Sequence, residues 1–332
     1  MSSTVTRGGK RPQLDTPEAT ARRLEGKLMR QLRTASLDYG LVEDGDHILV
    51  AVSGGKDSAT MLHLLLKLKH KLHHAGVRFN VTAVHLDQKQ PGYDGKPLRE
   101  WLQGLEQSDA LPFRIVEEDT YTIVTDKTAP GKTYCTMCSR LRRGILYSVA
   151  HDLGCNKLAL GHHADDSIET LLLNMIHQGQ MKAMPARYFS TDRDMHVIRP
   201  LIYCEEDEIR TFAEAMDFPI LPCNLCGSQP DAHRAKVKLL CSTLETLNPQ
   251  VGTLLPPSTP QFTAWSPPSG DRPAILECHR RRNAFATYVP VRAYIGPCVC
   301  ISGPDEPCAC NAGCAPVPPP RPRPAIGRWL RP

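Results

Sequence analysis

The chain has 332 residues, 41% of them apolar, with 40 Lys and Arg against 35 Asp and Glu, 13 cysteines and 29 prolines. At about 150 residues per domain, that length suggests roughly two structural units and is enough to bury a sizeable core. Its longest apolar runs, such as Ile48–Val52 and Leu171–Leu173, fall far short of the ~20 residues of a membrane helix, and the composition excludes collagen, coiled coil and small disulfide scaffold.

Residues 1–16 are polar and read as a disordered N-terminus. No apolar stretch stands behind Arg7, Lys10 and Arg11, so a cytoplasmic protein without a membrane partner is expected. Leu24, Leu28, Leu32 and Leu37 recur near a helical turn apart. His47–Val52 reads as a buried strand, Ser53–Ser58 as a tight loop and Ala59–Leu68 as a helix. Val77–Leu86 alternates like a strand, Leu98–Leu105 is helical, and Pro112–Val116 is again a strand. Cys138–Leu153 predicts a helix, Lys157–Leu160 a strand, and Asp165–Ile176 and Glu205–Met216 two further helices. Strands alternating with helices predict an α/β fold with a parallel sheet, and the reading assigns it to residues 17–250.

Residues 251–332 are a different kind of sequence. They hold 17 of the 29 prolines, six of the 13 cysteines, nine arginines and no lysine. With four acids they carry the whole net charge of +5, leaving residues 1–250 neutral. The total charge therefore says nothing about a nucleic-acid partner; a basic surface has to be local. This composition predicts an irregular tail, either disordered or read from a shifted frame of GC-rich DNA. Its late cysteines, Cys298 to Cys314, are assigned no metal.

Ser53-Gly54-Gly55-Lys56-Asp57-Ser58 joins a predicted strand to a predicted helix. Two glycines let the backbone approach an anion, and the helix N-terminus supplies free N–H groups. Lys56 adds charge, while Ser53 and Ser58 add hydroxyls. The spacing is too short for a Walker A loop. It is similar to the SGGKDS loop of PP-loop ATP pyrophosphatases, which split ATP into AMP and pyrophosphate and adenylate a substrate oxygen. The plain alternative is a Gly-rich turn. Gly161-His162-His163-Ala164-Asp165-Asp166 also follows a strand and opens a helix. Asp166 is either a helix cap or a hard oxygen ligand for Mg²⁺ or nucleotide. Asp87 ends a third strand at the edge where such sheets bind ligands, and either faces the nucleotide or is a loop acid.

Cys135 and Cys138 form one CxxC pair, and Cys223 and Cys226 form another. In a cytosolic protein such pairs point to metal or redox chemistry. Spacing leaves two possibilities open: a closed four-cysteine zinc site, or an iron–sulfur cluster on three thiolates with one open iron. Cys155, Cys204 and Cys241 read as packed single side chains. Arg140, Arg142 and Arg143 follow the first pair and either grip phosphate, as of a tRNA backbone, or form a solvated helix face. The cations between Lys67 and His74 read as complements to a helix dipole.

Together, SGGKDS at 53–58, CTMCSRLRRGILY at 135–147, LGHH at 160–163, IRPL at 198–201 and PCNLCGSQP at 222–230 resemble the tRNA 2-thiocytidine synthetase family, TtcA. The resemblance covers roughly residues 22–250. It implies a PP-loop fold of the adenine nucleotide alpha hydrolase-like kind, with helical additions. It implies thiolation of cytidine at tRNA position 32, using ATP, Mg²⁺, a [4Fe-4S] cluster and a cysteine desulfurase as sulfur donor, and leaves a homodimer open as the assembly. Its cluster ligands fall on Cys135, Cys138 and Cys226, and its nucleotide loop on Ser53 to Ser58. Lys56, Asp57 and Cys223 become the candidate catalytic residues, Cys223 either as a side chain that supports the cluster ligands or as a persulfide carrier. The tail departs from what the resemblance leads one to expect.

Overall fold

The computed structural model describes residues 16–128, 134–221 and 233–248. The expectations for residues 1–15 and for the tail, and those for Cys223 and Cys226, lie outside the described residues. Thr16 accepts a hydrogen bond from Ala19 N at 3.3 Å, and Pro17 follows at the first helical position, so α1 (Pro17–Tyr39) begins there. In chain order follow β1 (His47–Ala51), α2 (Lys56–His73), β2 (Asn80–Asp87), α3 (Lys96–Asp109), β3 (Phe113–Glu117) and α4 (Thr120–Lys127). Then come α5 (Cys135–Asp152), β4 (Lys157–Ala159), α6 (Ala164–Gln178), β5 (Arg187–Ser190), β6 (Met195–Ile198), α7 (Glu206–Ala215) and α8 (His233–Leu247).

The six strands form one sheet in the order β3-β2-β1-β4-β6-β5. All neighbours are parallel except β5, which pairs antiparallel with β6. The predicted parallel sheet is present, with a hairpin added at one edge. Period-2 alternation sorts the side chains into two layers. Ile48 and Val50 pack among Leu28, Leu62 and Phe212 of α1, α2 and α7. Leu49 and Leu158 pack on the other side against Leu146, Val149 and Ala150 of α5. Each fully buried Leu here contributes roughly 1.5–3 kcal/mol. After β1 the chain builds β2 and β3 to one side, then crosses back to build β4 and β6 on the other. The strand order reverses between β1 and β4, which is where open α/β sheets bind ligands.

A buried lysine fastens the opposite end of the sheet. Lys157, only 1% exposed, reaches Asp46 Oδ2 at 2.7 Å and Glu43 Oε2 at 2.9 Å, and donates to the Leu41 carbonyl at 3.2 Å. Asn156 donates to Asp46 Oδ1 at 2.9 Å, and Arg187 donates to the Gly40 carbonyl. The α1–β1 connection is thereby tied to the starts of β4 and β5. Among the described residues no helix is long and apolar enough to cross a membrane. Lys157→Ala strands the buried Asp46 carboxylate and should destabilise the fold by about 3–5 kcal/mol in urea unfolding, whereas Lys157→Met with Asp46→Asn should recover most of that loss.

Candidate active site

The loop after β1 turns at Gly54, whose φ of 84° is a conformation that side chains rarely adopt. Its carbonyl accepts from Leu221 N at 2.8 Å. The helix begins earlier than its apolar pattern suggests, so Lys56, Asp57 and Ser58 occupy the first turn of α2 rather than the loop. Ser58 organises the turn. Its Oγ donates to the Gly55 carbonyl at 2.9 Å and accepts from Ser53 N at 3.0 Å. Gly55 N donates to Ser53 Oγ at 3.3 Å. The loop is thus braced by its own hydroxyls, with the positive end of α2 behind it. A Cβ on Gly161, two residues past β4, would lie 3.1 Å from Ser58 N, so the two segments touch backbone to backbone.

Above the C-terminal ends of β1, β2, β4 and β6 lies a cavity of about 490 Å³. Ser53 lines it from the loop, Asp57 and Ser58 from the first turn of α2, and Ser139, Arg142 and Arg143 from α5. Val84, Leu86 and Leu146 give it an apolar wall, and Asp166, His162 and Arg199 close it from β4, α6 and β6. A neighbouring space of about 290 Å³ is lined only by charged or ionisable groups, among them Lys56, Asp57, Asp166, Glu206, Arg234 and Lys238. Lys56 Nζ lies 3.1 Å from both Asp57 Oδ1 and Glu206 Oε1. Burial alone would depress the Lys56 pKa, but Asp57 and Glu206 outweigh it and raise it. Glu206 also meets Lys238 of α8. Burial works against its charge too, but the two lysines hold its pKa below the usual carboxylate value.

Asp166 is a helix cap that also faces the cavity. Its Oδ2 accepts from His163 N at 3.1 Å, capping α6, while its Oδ1 accepts from Arg234 at 3.0 Å on the cavity wall. Asp165 Oδ2 instead accepts from Glu206 N at 2.8 Å and so caps α7. Asp87 is not among the cavity-lining residues: its Oδ1 accepts from Lys89 N at 2.8 Å, and Lys89 Nζ is 3.7 Å from its Oδ2. Arg142 and Arg143 line the cavity, whereas Arg140 does not and is exposed. Cys135 opens α5. Cys138, one turn on, is buried, and its Sγ donates to Gln88 Oε1 at 3.4 Å. Sequence reasoning missed Arg199, Arg234, Lys238 and Glu206 as site residues. Only the IRPL segment carried a signal for any of them.

The two histidines of the LGHH segment titrate in opposite directions. His162 is half-buried; its desolvation and then the Arg199 guanidinium push its pKa down to about 4. Burial disfavours His163⁺ as well, but Asp165, Asp166 and Asp57 outweigh it and raise its pKa above 6.5. Between about pH 4 and 6.5 the unfolded chain therefore binds more protons at position 162, and acidification destabilises the fold there. The contribution of His163 is fully present below pH 6.5 and fades as pH rises through its raised value. Urea unfolding at pH 5 and pH 8 should show opposite trends. Relative to the parent, His162→Asn should fare better at pH 5 than at pH 8, and His163→Asn worse.

The PP-loop domain family, ATP_bind_3, matches residues 24–220. The tRNA-cytidine(32) 2-sulfurtransferase of Aliivibrio fischeri (strain MJ11) is 50% identical over 221 residues, which are 67% of this chain and 70% of that protein. The protein of the same name from Anaeromyxobacter dehalogenans (strain 2CP-C) is 49% identical over 234 residues, 70% of this chain and 78% of that one. Among solved structures, the U34-tRNA thiolase NcsA from Methanococcus maripaludis with its [4Fe-4S] cluster has a TM-score of 0.53 at 22% identity, covering 71% of this chain and 76% of that one, and shares the fold. A PP-loop at the switch point of the sheet, a domain match over most of the described chain and relatives at about half identity lead to one assignment: the chain belongs to the tRNA-cytidine(32) 2-sulfurtransferase family of PP-loop proteins.

Proposed function

We propose that this chain thiolates tRNA, replacing the C2 oxygen of cytidine 32 with sulfur at the expense of ATP. One observation carries the reading: the Ser53–Ser58 loop and the helix that begins at the first CxxC pair wall the same cavity. An activating nucleotide and the sulfur-handling edge of the protein then meet over one substrate. The relatives' shared name supports the substrate and the position.

Cytosine O2 is a poor leaving group. In the proposed first step it attacks the α-phosphorus of ATP and pyrophosphate departs. The free N–H groups at the start of α2, with Lys56, hold the departing charge. Asp57 Oδ1 is buried, with the Lys56 ammonium 3.1 Å away as its close charged neighbour, and offers a hard oxygen for Mg²⁺. Asp166 joins it once Arg234 lets go of the carboxylate. Phosphate oxygens and water complete such a site, so two carboxylates suffice. In the second step a sulfide-level sulfur attacks C2, and AMP leaves with the former O2; a sulfur delivered as a persulfide reaches that level by two-electron reduction by an external thiol. Arg142 and Arg143 meet the tRNA backbone at the mouth, and Arg140 extends that surface.

Cys135, Cys138 and Cys226 would hold the [4Fe-4S] cluster, which when bound supplies an iron with a free position for the transferred sulfur. The described part fits such a group. Thiolates are the donors it needs, and the positive end of α5 favours them. Cys223 is left as a persulfide carrier fed by a cysteine desulfurase.

Nucleoside mass spectrometry of tRNA from a strain lacking this gene, with and without the gene restored, tests the function directly; 2-thiocytidine should appear only with it. Lys56→Ala should lower thiolation by about 100-fold or more, with stability changed by no more than about 1 kcal/mol. In anaerobically purified protein, Cys135→Ala, Cys138→Ala and Cys226→Ala should each lose iron, while Cys223→Ala keeps it. One equivalent of zinc that disappears on replacing any of the four cysteines would point to a closed tetrahedral site instead.

A further inference from the structure

Arg199 is only 7% exposed and lines the main cavity. A guanidinium does not deprotonate in a protein, so its charge is desolvated there in full. No ion pair with a carboxylate forms at Arg199 among the described residues. Its partners are neutral: Nη1 donates to the Pro185 carbonyl, Nε donates to His162 Nδ1 at 3.3 Å, and the group lies 5.3 Å from the centre of the Tyr188 ring. Buried charges are ordinarily paired, because an isolated one costs several kcal/mol. Among the described residues nothing supplies that anion, which leaves the place open to one carried by a ligand. Since His162 accepts at Nδ1, its neutral ring carries the proton on Nε2, a second donor on a side chain that lines the same cavity.

We propose that Arg199 and His162 form a phosphate receptor that binds the α-phosphate of the nucleotide, the group at which the adenylation takes place. The inference rests on the nucleotide reading of the loop. Placement favours the α-phosphate over the phosphates on either side of it. The charged space beside Lys56 and Lys238 suits the departing pyrophosphate, and Val84, Leu86 and Leu146 suit the adenine face. Both spaces share Asp57, Asp166 and Arg234, so a nucleotide lying through them presents its middle phosphate to the main cavity. His162 follows β4 and Arg199 follows β6, one and two strands from the loop at about 4.8 Å each. Arg199 is too deep for a polynucleotide backbone, which the exposed Arg140 and Arg143 can meet at the surface.

The test is a binding cycle on the full-length chain, with AMP and adenosine as probes and calorimetry as the readout. The parent should bind AMP at least about tenfold more tightly than adenosine, as a charge-assisted contact of about 1.5–3 kcal/mol implies. In Arg199→Gln that preference should collapse towards unity while adenosine and pyrophosphate affinities stay within about twofold. Arg199→Lys should keep part of it, and it stands in if the Gln variant fails to fold. Retention of the full AMP preference in these variants overturns the receptor. So does an equal loss for AMP and adenosine, or a loss confined to tRNA binding, which would make the site a backbone contact. A parent that binds adenosine and AMP equally overturns the receptor alone; a parent that binds neither adenine compound nor pyrophosphate overturns the nucleotide reading with it.

Discussion

The close approach of two backbones organises this molecule. Gly161, two residues past β4, lies against Ser58 in the first turn of α2, where a side chain would crowd the backbone at 3.1 Å. That contact requires β1 and β4 to be neighbours in parallel register, which in turn requires the chain to visit β2 and β3 first and then return. Once the register is fixed, everything that follows each strand is fixed as well. The phosphate loop follows β1, His162 to Asp166 follow β4, and Arg199 follows β6. One sheet edge therefore gathers a loop of hydroxyls, a pair of histidines and a buried cation from residues nearly 150 positions apart.

Electrostatics at that edge is a matter of mutual neutralisation. Lys56 and Lys238 share Glu206, Arg234 rests on Asp166, and three carboxylates raise the pKa of His163. Arg199 stands outside this arrangement: among the described residues it has no carboxylate partner although it is buried. The same chemical class of residue serves two roles here: paired cations that a ligand must compete for, and a buried one with only neutral contacts among the described residues.

Much of this was legible in the sequence, for identifiable reasons. β1 and α2 announce themselves because Ile48–Val52 is continuously apolar and the helix after it keeps a broad leucine face. The SGGKDS loop and the CxxC pair carry chemistry in contiguous residues. The elements that escaped were those without such patterns. α4 is TYTIVTDK, rich in β-branched residues, and exists because Asp119 caps it and Val124 packs near Cys138. β5 is half polar because it is an edge strand. Arg199 and Glu206 escaped for a different reason: their roles come from strand order and helix placement, and a lone Arg or Glu looks the same in sequence whether it is solvated or not. Asp87 shows the converse, a strand-end acid that chain position pointed to and whose carboxylate a neighbouring lysine engages.

The Lys157 knot gives the molecule a front and a back. It clamps the connection that leads into β1 to the start of β4, behind the sheet, while every segment with chemistry to perform projects from the opposite edge. Such a frame behaves like a hand held at the wrist. The knuckles keep their spacing whatever the fingers hold. Local opening at the reactive edge then need not loosen the strand register, so mobility at the mouth and rigidity at the base become separable properties, each open to change without the other.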